Sequence, residues 1–266
     1  MSHVISEIDG AIAIITLNRP DKHNAFDEAL IADLTEHLKA LDQHDAVRVV
    51  VLSANGKSFS AGADLHWMKR VADYTEAENT RDAMALATLM QTLHSLSKPT
   101  IARVQGAAYG GGVGLIACCD IAVGSSHAAF ALSETRLGLI PAVISPYVIA
   151  AIGARAAQRY FLTGERFDAG EAYRLGLLSE LCNNDDDMDL KIEQIIAALF
   201  ACGPDALAEA KKLIDAVANQ PLTNNLITGT AERIARVRVS AEGQEGLRAF
   251  LEKRNPAWTI NKQESK

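Results

Sequence analysis

Two stretches of small residues and one carboxylate supply the chemistry legible in this sequence: residues 59–65 (FSAGADL), residues 106–115 (GAAYGGGVGL) and Glu134. Backbone amides shielded by almost no side chain can converge on a carbonyl oxygen and stabilise the negative charge of an enolate. A carboxylate within reach can then move a proton. Together the three segments point to acyl-thioester chemistry.

Each segment also has a plainer reading. Gly110, Gly111 and Gly112 precede the apolar run 113–119, so several N–H groups and a helix start face one way and gather partial positive charge. Glycines at such a corner can equally serve close strand–helix packing. The loop superficially resembles a dinucleotide fingerprint, with Glu134 downstream, but glycines at 110, 112 and 114 do not meet the required pattern. In the first loop, Ala61, Gly62 and Ala63 lead into Asp64, a natural cap for a helix containing Leu65, Trp67 and Met68. That loop would expose the Ala63 amide, although an ordinary capped helix could look the same. Glu134 lies in an apolar-rich segment, 131–141, where burial raises a carboxyl pKa toward the range of a proton shuttle. A helix-end or ion-pair role near Ser133 and Arg136 is the competing reading.

The remaining reactive residues form no constellation. None of the 7 histidines makes a ligand pair on an evident helix face, and HExxH and GxSxG are absent. His66 is retained as a candidate because it follows the first loop. The 4 cysteines show no CxxC spacing, which argues against a zinc site or a disulfide framework and fits a reducing compartment. A net charge of -7 without a dense Lys/Arg run argues against nucleic acid as the principal ligand. Glu7 and Asp9 interrupt the segment where a signal peptide would be apolar, and no 18-residue uncharged stretch occurs elsewhere, so a soluble cytoplasmic protein with no membrane partner is expected.

The elements that must position these residues follow from periodicity. Residues 3–8 and 11–18 are β-rich runs around Asp9-Gly10, a hairpin signal. Apolar positions Phe26, Leu30, Ile31, Leu34, Leu38 and Leu41 describe an amphipathic helix with Asn24 as its expected cap. Strands are expected at 47–52 and 99–105, each entering one of the two loops, with a helix at 77–96 between them. Strands alternating with helices imply an α/β domain whose βα loops gather at the carboxyl ends of strands. After Pro141 helices are expected at 154–161, 168–175, 190–201, 204–217, 225–237 and 241–253, interrupted by only one short strand around 178–182. The acidic stretch 183–187 reads as a surface turn.

Residues 18–25 (NRPDKHNA), 60–65 and 106–120, with 164–169 (GERFDA) and 250–254 (FLEKR), resemble the crotonase superfamily of enoyl-CoA hydratases and isomerases over nearly the whole chain. The resemblance implies an α/β crotonase-like spiral of ββα units over 1–186, and a helical C-terminal trimerisation region over 187–266. It implies a homotrimer or a dimer of trimers. It makes Ala63 and Gly111 the oxyanion-hole donors and Glu134 the acid/base. It carries the coenzyme A arm past Lys22 and the loop Ala61 to Leu65, which includes Asp64, with His66 beside the substrate. Phe250 and Lys253 of a neighbouring subunit complete the adenine and phosphate surroundings. No further cofactor is implied, since coenzyme A is part of the substrate.

One departure matters. Hydratases of this family often carry two glutamates, and the first would fall at Gly114. Residues 62–70 and 133–149, with 110–115, look most similar to bacterial methylglutaconyl-CoA and isohexenylglutaconyl-CoA hydratases. Such substrates bear a free carboxylate, for which His66, Lys69, Arg70 and Arg136 are candidates. Hydration is the expected reaction; a one-base isomerase and a non-catalytic or RNA-binding protein of the same fold are the alternatives.

Overall fold

The computed structural model describes residues 2–259. The chain divides into two compact units, one of Met1–Leu96 with Thr100–Glu193, the other of Ser97–Pro99 with Gln194–Lys266. The division falls inside a helix, a few residues beyond the boundary expected at 186/187.

Strands β1 (Val4–Asp9) and β2 (Ile12–Leu17) pair antiparallel with Asp9 opposite Ile12, so the two-residue turn is Gly10-Ala11, one residue beyond the expected Asp9-Gly10, with Gly10 at φ 55° as its first turn residue. The main sheet continues through β3 (Val49–Ala54), β5 (Thr100–Val104), β7 (Ile121–Ser125) and β10 (Glu180–Cys182), all parallel after the first pair. A second sheet has the order β4 (Ser58–Ser60), β6 (Ala107–Tyr109), β8 (Ala129–Ala131), β9 (Arg166–Asp168). Strand pairs β3–β4 and β5–β6 each feed a helix, α2 (Leu65–Val71) and α4 (Gly111–Cys118), so the chain advances as ββα units. The short strands of the second sheet lie side by side and set the two loops next to one another.

Helix α1 (Glu28–Asp42) buries Leu30, Ile31, Leu34, Leu38 and Leu41, the face expected from their spacing. It packs on α3 (Glu76–His94), which buries Leu89, Met90 and Leu93. Two expectations fail here. Asp27, not Asn24, caps α1, its carboxylate accepting from Leu30 N at 2.9 Å. Asn24 is instead fully buried at φ 52°, accepting from Arg19 N and donating to the carbonyls of Asn55 and Ser58. An Asn tolerates that left-handed backbone, and its amide ties the segment before α1 to the chain entering the first loop. Phe26 likewise lies outside the helix.

Helix α5 (Ser145–Thr163) is broken at Gly153, whose φ of 77° lies outside the helical region. Helix α6 (Ala169–Leu175) follows β9, a strand the sequence did not suggest. Helix α7 (Asp185–Phe200) absorbs the acidic stretch: Asp185, Asp186 and Asp187 form its first turn, where carboxylates meet the positive end of the helix dipole. The C-terminal unit comprises the end of α7 with α8 (Pro204–Val217), α9 (Asn224–Val239) and α10 (Ala241–Leu251), close to the expected limits. Among the described residues no helix is long and apolar enough to cross a membrane.

Candidate active site

The first loop is fixed by an isolated parallel bridge between Phe26 and Ala63. Phe26 N donates to Gly62 O at 2.7 Å, and Asp64 N donates to Phe26 O at 2.8 Å. In parallel pairing a residue bonds to the two neighbours of the one opposite it, so the N–H and C=O of Ala63 face away from Phe26. Ala63 is solvent-exposed, and its N–H has no hydrogen-bond partner among the described residues. Asp64 caps α2 as expected, accepting from His66 N at 2.8 Å and Trp67 N at 3.3 Å. Burial acts to raise the Asp64 pKa, but those amides and the Arg19 guanidinium outweigh it and hold the carboxyl below its ordinary value.

The second loop is set by steric exclusion. Gly110 N donates to Ala131 O at 2.9 Å, and Gly110 itself sits at φ 50° as the residue before α4. A Cβ on Gly112 would lie 2.9 Å from Ser60 O, and one on Gly62 would lie 3.1 Å from Tyr109 O. The two loops are therefore in backbone contact. Phe26 joins them a second time, because a Cβ on Gly111 would stand 3.2 Å from Cε2 of its ring. Gly111 opens α4, and its N–H has no partner among the described residues. Two unengaged amides thus lie on loops gripped by one phenylalanine.

Glu134 begins a 3₁₀ turn, Glu134–Leu137, that is tied to α5 by Thr135 Oγ1 donating to Phe161 O at 2.8 Å. Its carboxyl reaches the second loop: a Cβ on Gly110 would be 3.0 Å from Glu134 Oε1. Oε2 is buried without a hydrogen-bond partner. Burial raises the Glu134 pKa, opposed only by a hydrogen bond from its own backbone N–H. A partly desolvated carboxyl next to the loop that bears the Gly111 amide has the chemistry of a proton-exchanging group. The ion pair with Arg136 does not form. Arg136 turns toward α5, where its Nε donates to Thr163 O at 3.4 Å and its chain lies against Gly164.

Around Gly114 the space is already filled. A Cβ there would lie 2.3 Å from Ile144 Cγ2 and 3.2 Å from Met90 Cε, so a glutamate could not enter without moving apolar side chains. Position 114 therefore supplies no second carboxylate to accompany Glu134.

The other candidates divide between the units. Lys22 is exposed at the end of the 3₁₀ turn Pro20–Lys22, and the next residue's carbonyl, His23 O, accepts from Ala61 N at 2.9 Å. Leu65 and His66 are exposed at the start of α2. Of the basic residues considered for a substrate carboxylate, Arg70 is engaged by Glu28 and Arg136 by Thr163 O, whereas Lys69 is exposed and His66 offers its ring to solvent. Phe250 and Lys253 are exposed in the C-terminal unit, Lys253 at φ 55° just past α10. The sequence placed Phe26 on a helix face and gave neither Phe26 nor Arg19 a part in the site. The NRPDKHNA motif around them was the available signal, and it carried no indication of which atoms they grip.

The enoyl-CoA hydratase/isomerase family model matches residues 7–261. A solved enoyl-CoA hydratase from Shewanella pealeana is 47% identical, with a TM-score of 0.94 and 96% of each chain covered. An enoyl-CoA hydratase/isomerase from Marinobacter aquaeolei is 32% identical with a TM-score of 0.92, covering 98% of this chain and 100% of that one. The 2,3-dehydroadipyl-CoA hydratase of Escherichia coli is 31% identical over 260 residues, 96% of this chain and 98% of its own. The chain belongs to the enoyl-CoA hydratase/isomerase family and has the crotonase fold.

Proposed function

We propose that this protein is an enoyl-CoA hydratase that adds water across the α,β double bond of a short or branched acyl-CoA, with 3-methylglutaconyl-CoA or a related glutaconyl-CoA as its substrate class. The observation that carries the reading is the half-buried Glu134 carboxyl, its Oε2 buried without a hydrogen-bond partner, lying against the loop that bears the Gly111 amide. The thioester oxygen accepts hydrogen bonds from Ala63 N–H and Gly111 N–H. Glu134, ionised, takes a proton from water as the water oxygen bonds to the β-carbon, and the π electrons move onto the thioester oxygen. Collapse of that enolate takes the proton from Glu134 to the α-carbon. Atoms and charge balance with one carboxyl group, and no metal or redox cofactor enters a step.

The acyl class draws support from residues 62–70 and 133–149, and from the Escherichia coli relative, whose name describes an enoyl thioester of a dicarboxylic acid. His66 and Lys69 are the basic groups we assign to the substrate carboxylate, because Arg70 and Arg136 are engaged elsewhere. The coenzyme A arm is assigned to Lys22, Ala61, Asp64 and Leu65. Phe250 and Lys253 are assigned to the coenzyme of a neighbouring subunit in a homotrimer or a dimer of trimers, with the helical C-terminal region as the trimer contact. A cytoplasmic location completes the reading.

Isomerisation is the second reading, favoured by the apolar filling around Gly114, which leaves a single acid to shuttle a proton between carbons. A panel of unsaturated CoA esters followed by mass spectrometry separates the two. Hydration adds the mass of one water, whereas a product of unchanged mass with a moved double bond replaces hydration by isomerisation.

A further inference from the structure

We propose that Arg19 is a positioning residue for the first-loop donor: by gripping Ala25, Asp27 and Asp64 it fixes the direction in which the Ala63 N–H points. This rests on the reading of Ala63 as an oxyanion donor and adds a residue that does not touch substrate.

The Phe26–Ala63 bridge stands alone, with no further rungs of a ladder on either side. The peptide carrying the Ala63 N–H is held on one side by the bond from Phe26 N to Gly62 O, and Gly62 stands at φ 86°, so its orientation depends on how firmly the segment around Phe26 is itself held. Arg19 supplies restraint from outside the bridge. Its Nη1 donates to Ala25 O at 2.7 Å and lies 2.8 Å from Asp27 Oδ2, while Nη2 lies 3.3 Å from Asp64 Oδ2. One guanidinium therefore holds the residues immediately before and after Phe26, and the residue immediately after Ala63. The side chains are largely withdrawn from water, with 13% of Arg19 and 8% of Asp64 exposed. Such charge-assisted contacts are stronger and more directional than surface pairs.

Arg19 is itself anchored. Its N–H donates to Asn24 Oδ1 at 2.8 Å, and Asn24 N donates back to Arg19 O at 2.9 Å. Asn24 then reaches the strand that leads into the loop through Ser58 O at 2.9 Å, and Ser60 Oγ donates to Asn24 O at 2.9 Å. The planar fork of arginine engages both strands at once, a geometry that a lysine ammonium on one flexible stem does not reproduce.

The test uses the full-length protein and an aryl-substituted enoyl-CoA whose absorption moves to longer wavelength when its thioester carbonyl is polarised. In Arg19→Gln the expected result is a smaller red shift of the bound ester, with kcat lowered on the order of 10- to 100-fold and KM within about threefold; outright loss of a donor costs about 10²–10³. Arg19→Lys is expected to recover only part of the shift. A folded Arg19→Gln variant with wild-type red shift and kcat overturns the proposal. Should Arg19→Gln fail to fold, Asp64→Asn takes its place: the Asn oxygen still caps α2 while the charge facing Arg19 is gone, so a reduced shift supports the proposal and an unchanged one overturns it. Absence of any red shift in the wild-type protein overturns instead the underlying assignment of the oxyanion donors.

Discussion

The two loops offer the same chemical group, a backbone N–H, yet are held by opposite means. The Gly111 loop is wedged: glycines at 110, 111 and 112 lie where a Cβ would meet Glu134, Phe26 and Ser60, and α4 behind them buries Val113, Leu115, Ile116 and Cys118. The Ala63 loop is tethered by charge and hydrogen bonds. Asp64 and Arg19 grip its exit, and α2 is moored by Trp67 Nε1, which donates to Asp82 Oδ1 at 3.0 Å. Steric exclusion is indifferent to salt and pH, whereas a polar tether is not. Under the proposed reading, one donor is held by packing and the other by a polar tether.

That contrast can be broken at several points. The largest effect is expected from Gly111→Pro, which deletes the rigid donor and should lower kcat by about 10²–10³, or about 2.7–4 kcal/mol in the transition state, with thermal melting as the control for folding. Gly112→Ala comes next. Its Cβ collides with Ser60 backbone, so a stability loss of about 1–3 kcal/mol is expected, with activity falling in parallel. Asp64→Ala removes the α2 cap and the Arg19 partner and should cost about 1 kcal/mol in denaturant unfolding, with a larger effect on kcat than that loss suggests. Smallest is Trp67→Phe, which removes the bond to Asp82 at about 0.5–1.5 kcal/mol and should leave the Gly111 side untouched. Equal kinetic sensitivity of both loops to small polar changes would erase the distinction.

Much of the scaffold was legible because its causes are local. Gly10 marks the hairpin although its turn lies one residue later than Asp9-Gly10, Asp64 caps the helix that follows it, and the limits of α8 are set by Pro204 and an unbroken amphipathic pattern. The three-residue strands β4, β6, β8 and β9 were not legible, since nothing in so short a segment favours a strand until a neighbour supplies the hydrogen bonds. Asn24 was misjudged for a related reason. Its residue type fits a cap, but its φ of 52° and its partners at residues 55 and 58 come from chain that is distant in sequence. The small residues and Glu134 were visible as candidates, whereas Phe26 as the link between loops and Ile144 as the plug beside Gly114 follow only from packing.

Burial of Glu134 makes a further prediction about pH. Its folded-state pKa is raised, so the stability of its neutral form is fully present below the ordinary value of 4.5 and is lost as pH rises through the raised one. Glu134→Gln is therefore expected to melt above wild type at neutral pH, with the difference fading in acid. A lower melting temperature for the variant at neutral pH would mean that the carboxylate is stabilised in place.

The central claim is that one half-buried acid moves the proton while two amides hold the oxygen. Steady-state turnover and CoA-ester binding of Glu134→Gln, measured side by side with wild type, test it most directly. The expected result is binding within a few-fold of wild type and turnover reduced by about 10²–10⁴. Undiminished turnover in the same variant would contradict the account.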